Sequence, residues 1–370
     1  MSRKNRDVPI FPLVWAEVDL DALRSNLKKI RQVAHASNAG ILAVVKADAY
    51  GHGMEAVARV LKEEGVKFFG VANIDEAGTL RKICPKEKIL VLGSFHPKQI
   101  SAYVRERIIP TVSCIEDVRV LAKNTRQKFS IHVKIDTGMG RLGVWHEELG
   151  PLFGELKKCR LLEVEGIYTH FSNADKNEAF TQKQISLFNR ALARIRKLGF
   201  SPKYLHAANS IGLMRFKNAH FNLVRPGIVL YGIGLKPILA LKTRISFLKS
   251  VEKGRALSYG ATYQTPRPTK IATLPIGYSH GYRLSFSNKA FVLVHGRRCP
   301  VVGRVTMDQT LVDVGGVPAV RCWDPVTLIG REGKASILAE DLAQIIDTIP
   351  YEIVCAIHSR IPRIYKGIRS

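Results

Sequence analysis

The chain has 370 residues, of which 46% are hydrophobic, and a formal net charge of +26 from 57 Lys and Arg against 31 Asp and Glu. That length and hydrophobic content exclude a disordered chain and predict a large core, divided between two domains. The basic residues form no long block and no apolar stretch approaches the roughly 20 residues that span a bilayer, so we expect neither a nucleic-acid-binding nor a membrane protein.

The N-terminus and the cysteines indicate the compartment. The stretch "MSRKNRDVPIFPLVW" is basic but holds no uninterrupted apolar segment, so we expect no secretory signal. The six cysteines are scattered without a CxxC pair, which argues against a zinc site or a disulfide framework. We therefore expect a cytoplasmic protein that binds no metal.

Strand-like apolar stretches alternate with amphipathic, helix-like stretches through most of the first 235 residues. The predicted strands are 13–20, 40–47, 68–73, 88–94, 108–113, 129–136, 164–171, 204–209 and 223–232. The predicted helices are 21–34, 53–65, 74–83, 97–107, 115–124 and about 180–198. This number of repeats predicts an α/β fold with a closed (β/α)8 barrel of the TIM type, and an open sheet is the alternative.

The pattern changes near Lys236 and Pro237, where short strands with Gly and Pro at the turns begin. The predicted strands of this second half are 243–251, 269–278, 290–296, 299–305, 309–315 and 324–330, with one helix at 336–349. We therefore predict a barrel domain over residues 1–236 and a mostly β domain over 237–370. The first residues of the chain are candidates for pairing with the β domain.

The stretch "AVVKADAYGHG" (43–53) places Lys46 at the end of an apolar run. A charged lysine is costly to bury, and desolvation lowers the pKa of such an amine and makes it a usable base or nucleophile. The alternative is that Lys46 lies beyond the strand end and extends its amine to water. Composition alone favours that alternative.

Nine segments in order resemble the alanine racemase family. They are "VKADAYGHG" (45–53), "KIDTGMGRLG" (134–143), "THFSNAD" (169–175), "AANS" (207–210), "VRPGIVLYG" (224–232), "SYGATY" (258–263), "PIGYSHG" (275–281), "GRVTMDQ" (303–309) and "RIPR" (360–363). An ordered set of this length is far more specific than any one segment. The resemblance implies a pyridoxal-phosphate-dependent isomerase that interconverts L- and D-alanine and supplies D-alanine for peptidoglycan of the cell wall.

The resemblance also implies the catalytic residues. Lys46 would form the internal aldimine with pyridoxal 5'-phosphate and then act as the base on one face of the substrate Cα. Tyr259 would be the base on the other face. A free phenol has a pKa near 10, so it needs help at neutral pH. In the family that help comes from a hydrogen-bonded chain, which corresponds here to His170 and Arg225, and Arg225 would also face the pyridine nitrogen.

The remaining site residues follow from the same resemblance. Those assigned to the cofactor phosphate are Tyr50, Ser210, Gly227 and Ile228. A turn glycine after Pro226 is the structural alternative for Gly227, but its location supports the phosphate role, since phosphate sites in such barrels favour the loops after strands seven and eight. Those assigned to the substrate are Arg141, Tyr278, Met307 and Asp308. Lys134 corresponds to a lysine that many relatives carry as a carbamate, which orients Arg141. Tyr259, Tyr278 and Met307 would enter the site from a second subunit, which implies a homodimer with shared active sites.

One position departs from the family pattern. Many relatives have a tyrosine immediately before the arginine of "RIPR", whereas this chain has Ser359. The smaller side chain puts phosphate affinity and strict alanine preference in doubt, and a racemase of broader or serine-directed specificity is the first alternative. Three competing hypotheses name a fold-related decarboxylase, a non-catalytic pyridoxal-phosphate carrier and a nucleic-acid-binding protein. The nine segments and Tyr259 argue against the decarboxylase and the carrier.

Overall fold

The computed structural model describes residues 11–369. Contacts divide the chain into two compact units. The barrel unit consists of Arg24–Ala49 and Met54–Leu230. The β unit consists of the described residues before Arg24, the short segment Tyr50–Gly53 and the described residues from Tyr231 onward.

Eight parallel strands form the barrel unit, as the sequence predicted. Numbered one to eight in chain order, they are Gly40–Val44, Phe68–Val71, Lys88–Val91, Thr111–Val112, Phe129–Asp136, Leu162–Tyr168, Tyr204–His206 and Leu223–Val224. Strand eight pairs with strand one, so the barrel closes. A parallel bridge between Leu90 and Ile109 joins strands three and four, and the Arg225 N–H donates to Ala208 O at 2.9 Å beyond the ends of strands seven and eight.

Strand eight is shorter than the predicted 223–232. Pro226 O still accepts from Val44 N–H of strand one at 2.9 Å, but Pro226 has no N–H to donate to a sheet, so the pairing ends there. The chain then turns, and this turn carries Gly227 and Ile228. Since the C-terminal ends of barrel strands face the same end of the barrel, the turn lies at the end where such barrels build their sites.

Helices separate the barrel strands. Their bounds are Leu20–His35, Met54–Glu63, Ile74–Ile83, Ile100–Arg105, Ile115–Asn124, Leu149–Lys158, Glu178–Lys197 and Ser210–Arg215. The sequence analysis did not predict Leu149–Lys158, which contains Gly150, Pro151 and Gly154, residue types that disfavour a helix interior. Pro151 lies in the first turn, where its missing N–H costs no hydrogen bond. A two-residue strand, Val144–Trp145, pairs with strand five and was also missed.

The β unit contains a seven-stranded sheet and two smaller ones. The seven strands are Arg297–Pro300, Phe291–Val294, Pro325–Glu332, Leu239–Arg244, Val14–Asp19 and Arg363–Lys366 in spatial order, with Ala335–Ile337 beside Pro325–Glu332. The smaller sheets are Phe247–Val251 with Thr269–Leu274 and Thr310–Asp313, and Ala256–Leu257 with Tyr263–Gln264. Strand Val14–Asp19, predicted as the first strand of the chain, is therefore part of this unit.

The predicted helix 336–349 is wrong in its bounds. Ala335–Ile337 forms a hairpin with Pro325–Glu332, and the helix covers only Ala339–Ile345. A second helix, Pro350–Cys355, begins at a proline in its first turn and was not predicted.

None of the helices within residues 11–369 combines the length and the apolar character that a bilayer span requires. The predicted absence of a secretory signal concerns mainly residues 1–10, which lie outside the described residues.

Candidate active site

Lys46 lies two residues beyond barrel strand one. The N–H of Val45 still donates to Gly70 O of strand two at 2.9 Å, and Lys46 then begins a single helical turn, Lys46–Gly51. The prediction that placed Lys46 inside a strand over 40–47 is therefore wrong. The side chain is half-buried, so it is neither in the apolar core nor fully in water.

The turn after Lys46 is left-handed. Ala47, Asp48, Ala49 and Tyr50 have φ between 52° and 55°. L-residues disfavour this region by about 1–2 kcal/mol each, and Gly51, at φ 81°, is the one residue of the run that adopts it readily. The backbone around Lys46 is thus held in a strained conformation by its surroundings.

Arg225 follows barrel strand eight and is 3% exposed. One terminal nitrogen donates to His206 Nδ1 at 3.0 Å. The other donates to Thr169 O at 2.7 Å, lies 3.3 Å from His170 Nδ1 and donates to Ala207 O at 3.0 Å. The pair that the sequence assigned to one chain, His170 and Arg225, is thus in contact.

The guanidinium decides the protonation of its neighbours. It can only donate, so His170 and His206 accept at Nδ1 and carry their proton on Nε2. The Nε2–H of His206 then donates to His132 Nδ1 at 2.9 Å. Burial, reinforced by Arg225, holds the pKa values of His170 and His206 well below their usual range. The chain of polar groups therefore extends from His170 into the barrel interior with neutral imidazoles.

Sequence reasoning missed His132 and His206. Each occupies a barrel strand, in "FSIHVKID" and "YLHAAN", and both are fully buried. A polar residue within an otherwise apolar strand was the available signal. Tyr168, also missed, stacks on His206 with ring centroids 4.7 Å apart, and the Arg225 guanidinium lies 5.3 Å from the Tyr168 ring centre.

Lys134 lies in barrel strand five and is 3% exposed. Burial, followed by the charges of Arg141 and Arg225, lowers the pKa of Lys134 to about 8. Lys46, Lys134, Arg141 and Arg225 together depress the pKa of His170. The structure therefore brings these five predicted residues into one electrostatic neighbourhood.

Asp136 builds the loop that carries Arg141. Its Oδ1 accepts from the N–H groups of Gly138 at 2.8 Å and Met139 at 2.9 Å. Its Oδ2 accepts from Gly140 at 2.8 Å and Arg141 at 3.3 Å. A buried carboxylate with four backbone donors fixes the start of the "DTGMGR" loop, and sequence reasoning did not assign it this role.

Backbone amides converge after barrel strand eight. The Ser210 hydroxyl accepts from Gly227 N–H at 2.9 Å and from Val229 N–H at 3.3 Å. Both donors follow strand eight and Ser210 follows strand seven. N–H groups that point at one oxygen form a cradle for an anion. Ser210 and Gly227 therefore lie together, with Ile228 between the two donors.

Tyr50, the fourth residue predicted to bind phosphate, belongs to the β unit. Its ring lies 5.0 Å from that of Tyr231 and 6.1 Å from that of Tyr351, centre to centre. Gly51 and Gly53 follow directly. A Cβ on Gly51 would lie 2.4 Å from Val354 O, so only glycine allows this approach.

The other predicted residues of the β unit lie on two adjoining turns. Tyr278 N–H donates to Thr306 O at 3.0 Å and Ser279 N–H to Met307 O at 2.9 Å. A Cβ on Gly277 would come within 2.1 Å of Thr306 O, so this close approach requires glycine. The turn Tyr278–His280 and the loop with Met307 and Asp308 thus form one surface.

Tyr259 is the most exposed large hydrophobic side chain among the described residues, at 72%. Ser258, before it, has φ 63°, and its hydroxyl donates to Arg304 O at 2.6 Å. Tyr259 also lines a cavity of about 380 Å³ with Ser258, Thr306, Gln309 and Leu311. Tyr278 and Met307 are 45% and 59% exposed.

Comparison with protein families identifies two matched regions. Residues 18–234 match the model described as "Alanine racemase, N-terminal domain", and residues 238–365 match "Alanine racemase, C-terminal domain". The alanine racemase of Symbiobacterium thermophilum is 43% identical over 95% of this chain and 97% of its own. That of Halothermothrix orenii is 42% identical with the same coverage.

Solved structures of alanine racemases are also similar to this chain. The alanine racemase of Bacillus anthracis with bound L-Ala-P has a TM-score of 0.91 and 38% identity over 98% of this chain and 96% of its own. The alanine racemase of Bartonella henselae with covalently bound pyridoxal phosphate has a TM-score of 0.88 and 30% identity over 96% of this chain and its own entire length.

Proposed function

The chain belongs to the alanine racemase family, and we propose that it interconverts L- and D-alanine with pyridoxal phosphate held by Lys46. The observation that carries this proposal is the buried Arg225 with a terminal nitrogen 3.3 Å from His170 Nδ1. Burial, followed by the charges of Arg225, Lys134, Arg141 and Lys46, lowers the pKa of His170, so these groups lie near it. We extend the proposal to a cytoplasmic enzyme that supplies D-alanine for peptidoglycan, with a barrel domain over 1–236, whose strand Val14–Asp19 pairs with strands of the β domain, and a β domain over 237–370.

The residues present fit the cofactor. The amides of Gly227 and Val229 converge on the Ser210 hydroxyl, which suits the phosphate, and we assign Ile228 and Tyr50 to the same group. The buried Arg225 offers a donor to a ring nitrogen without giving up its own proton. Pyridoxal phosphate, when bound, supplies the electron sink that stabilises negative charge at the amino-acid Cα.

The protein must supply a base on each face of that Cα. Lys46 serves one face and Tyr259 the other, so a proton taken from one side is replaced from the opposite side. The neutral His170 carries its proton on Nε2 and accepts from Arg225 at Nδ1, which makes it a hydrogen-bond donor suited to a phenolate. Such a donor favours the deprotonated form of Tyr259.

Arg141 is the proposed holder of the substrate carboxylate. Lys134 has a pKa of about 8, so a fraction of its amine is neutral near pH 7. We propose that this amine adds to carbon dioxide and loses a proton. The resulting carbamate turns a cation beside Arg141 into an anionic acceptor that orients it.

The proposed enzyme is a homodimer with shared sites. The exposed Tyr259, Tyr278 and Met307 would enter the site of the second subunit, together with Asp308, and their exposure in the single chain supports this assignment. The β unit presents them on turns fixed by close backbone contacts.

Broader specificity that includes serine is a second candidate, favoured by Ser359. His358 N–H donates to His280 O at 3.2 Å and an Arg360 terminal nitrogen donates to Ser279 O at 3.2 Å. The turn with Ser359 is therefore bonded to the turn with Tyr278, on the surface assigned to the substrate.

The test combines a substrate panel with mapping of the cofactor. Purified protein loaded with pyridoxal phosphate is assayed for racemisation of each common amino acid. It is then reduced with borohydride and digested, and the modified lysine is identified by mass spectrometry. We expect alanine as the best substrate and the cofactor on Lys46. Absence of racemisation, or cofactor trapped on another lysine, contradicts the proposal.

A further inference from the structure

The left-handed turn after Lys46 needs an external restraint. Four consecutive non-glycine residues, Ala47 to Tyr50, adopt positive φ, a conformation that isolated chains of L-residues leave. Within the turn, Ala49 N–H donates to Val45 O at 2.9 Å. Four disfavoured residues cost about 4–8 kcal/mol together, more than the roughly 1 kcal/mol that each local hydrogen bond contributes, so bonds from outside the turn help to hold it.

Glu76 provides such bonds at the start of the turn. Its Oε1 accepts from Ala47 N–H at 2.8 Å, and its Oε2 accepts from Ala72 N–H at 2.7 Å. Ala72 follows barrel strand two and Ala47 follows Lys46. The carboxylate therefore joins the ends of barrel strands one and two beside the lysine.

Glu76 is not acting as an ordinary helix cap. It is the third residue of the helix Ile74–Ile83, whose N-cap is Asn73, and its own N–H donates to Asn73 Oδ1 at 2.9 Å. In a capping box a glutamate at this position returns to the N-cap N–H. Here both oxygens instead accept from Ala72 and Ala47. The carboxylate is used outside its own helix.

A second carboxylate holds the other end of the turn. Asp48 Oδ1 accepts from Met54 N–H at 2.7 Å, at the start of the helix Met54–Glu63. Glu76 acts on the peptide next to the lysine, since the Lys46–Ala47 peptide is planar and fixing the Ala47 N–H fixes the direction of that whole peptide.

We propose that Glu76 is a positioning residue for Lys46, and that its carboxylate orients the peptide that follows the lysine. The inference rests on the proposed role of Lys46 as the cofactor-bearing residue. Glu76 would act on covalent attachment of the cofactor and not on recognition of its phosphate. Charge-assisted bonds to backbone N–H groups are strong enough to hold such a geometry.

The test separates covalent attachment of the cofactor to the lysine from noncovalent binding of its phosphate group. Glu76→Gln retains the shape, but an amide offers one acceptor oxygen in place of two. Asp75→Asn is the matched control, because it removes a carboxylate from the same helical turn and is exposed. For each apoprotein we would measure the rate at which added pyridoxal phosphate attaches to the lysine, from its visible absorbance. We would also measure the dissociation constant of pyridoxine 5'-phosphate, which has no aldehyde.

We expect Glu76→Gln to slow attachment by roughly tenfold, the cost of about 1.4 kcal/mol, with pyridoxine phosphate affinity within about twofold of wild type. Asp75→Asn should match wild type in both. Glu76→Asp, whose shorter side chain cannot reach both amides, should also slow attachment. Attachment at the wild-type rate in Glu76→Gln, or equal losses of attachment and of pyridoxine phosphate binding, would overturn the positioning role.

Borohydride trapping of the wild-type protein separates this proposal from the proposed function. Cofactor on Lys46 together with an unaffected Glu76→Gln variant refutes only the role of Glu76. Cofactor on a different lysine refutes the assignment of Lys46, and the positioning role with it.

Discussion

At the scale of single residues, Arg225 has the widest influence on the site. Its guanidinium is buried and donates to two histidines and to the carbonyls of Thr169 and Ala207. Because arginine keeps its proton, the acceptor nitrogens of both histidines are determined without reference to pH near neutrality. A lysine would supply a point charge without this planar fork, so it could not fix both rings.

Ser359 tests specificity at the same scale. A hydroxymethyl group in place of a phenol opens volume and removes a long-reaching donor. We expect Ser359→Tyr to raise the ratio of kcat/KM for alanine to that for serine, and by roughly five- to a hundredfold if pocket fit is worth about 1–3 kcal/mol. Cofactor affinity should rise as well, since a hydrogen bond to a charged group stabilises by about 1.5–3 kcal/mol.

The measurement is steady-state kinetics with both amino acids, with cofactor occupancy checked by absorbance. Cys355→Ser, an exposed site four residues earlier, controls for a general effect of substitution in this segment. An unchanged or lower ratio in a cofactor-loaded Ser359→Tyr enzyme shows that position 359 does not set specificity.

At the scale of elements, the sequence was most informative where one element carries one periodicity. The strand 129–136 and the helix 115–124 have the bounds that were predicted. The segment after strand eight was predicted as strand because "IVLYG" is apolar, but Pro226 ends the pairing. The left-handed turn after Lys46 was also missed, because no glycine precedes Gly51 to signal positive φ.

The residues of the candidate site, like the elements, divide into those that the sequence predicted and those that it missed. Residues that resemble the family, such as Lys46, Ser210 and Arg225, were assigned because their segments are specific. Glu76, Asp136 and His206 act through contacts between segments distant in sequence, for which one sequence carries no signal. Prediction from sequence therefore reached the groups that we propose to face cofactor and substrate, and it missed the residues that hold those groups in place.

Barrel strand five gives a prediction for pH dependence. Burial, followed by the charges of Lys88 and Arg225, lowers the pKa of His132 to about 3. As pH falls below about 6.5, His132 becomes protonated in the unfolded chain but stays neutral in the folded chain. The free energy of unfolding therefore decreases with falling pH until about pH 3. Above about pH 6.5, His132 is neutral in both the folded and the unfolded chain, and its contribution to stability no longer changes with pH.

We expect His132→Gln, which retains an acceptor for His206, to weaken this dependence. Between pH 6 and 4.5 the free energy of unfolding should fall less steeply than in wild type, by up to about 1.4 kcal/mol per pH unit. Urea unfolding at a series of pH values measures the slope. The exposed His96→Gln is the control. Equal slopes for wild type and His132→Gln would show that the pKa of His132 is not lowered in the folded protein.

At the scale of the whole molecule, the proposed bases lie in different units. Lys46 belongs to the barrel unit and Tyr259 to the β unit. Large exposed side chains such as Tyr259 and Met307 are the residues that subunit interfaces cover. In the proposed two-fold symmetric dimer, each site receives Lys46 from one subunit and Tyr259 from the other. The two sites are therefore equivalent, and both form or neither does.

The most direct test of this account mixes two inactive variants, Lys46→Ala and Tyr259→Ala. Each alone should racemise alanine at a small fraction of the wild-type rate, because each of its sites lacks one base. In a mixed dimer one of the two sites contains both Lys46 and Tyr259. With random exchange of subunits, about half of the dimers are mixed, so activity should return to about a quarter of wild type. Mixtures that remain inactive, although native mass spectrometry shows mixed dimers, would contradict the shared two-base site.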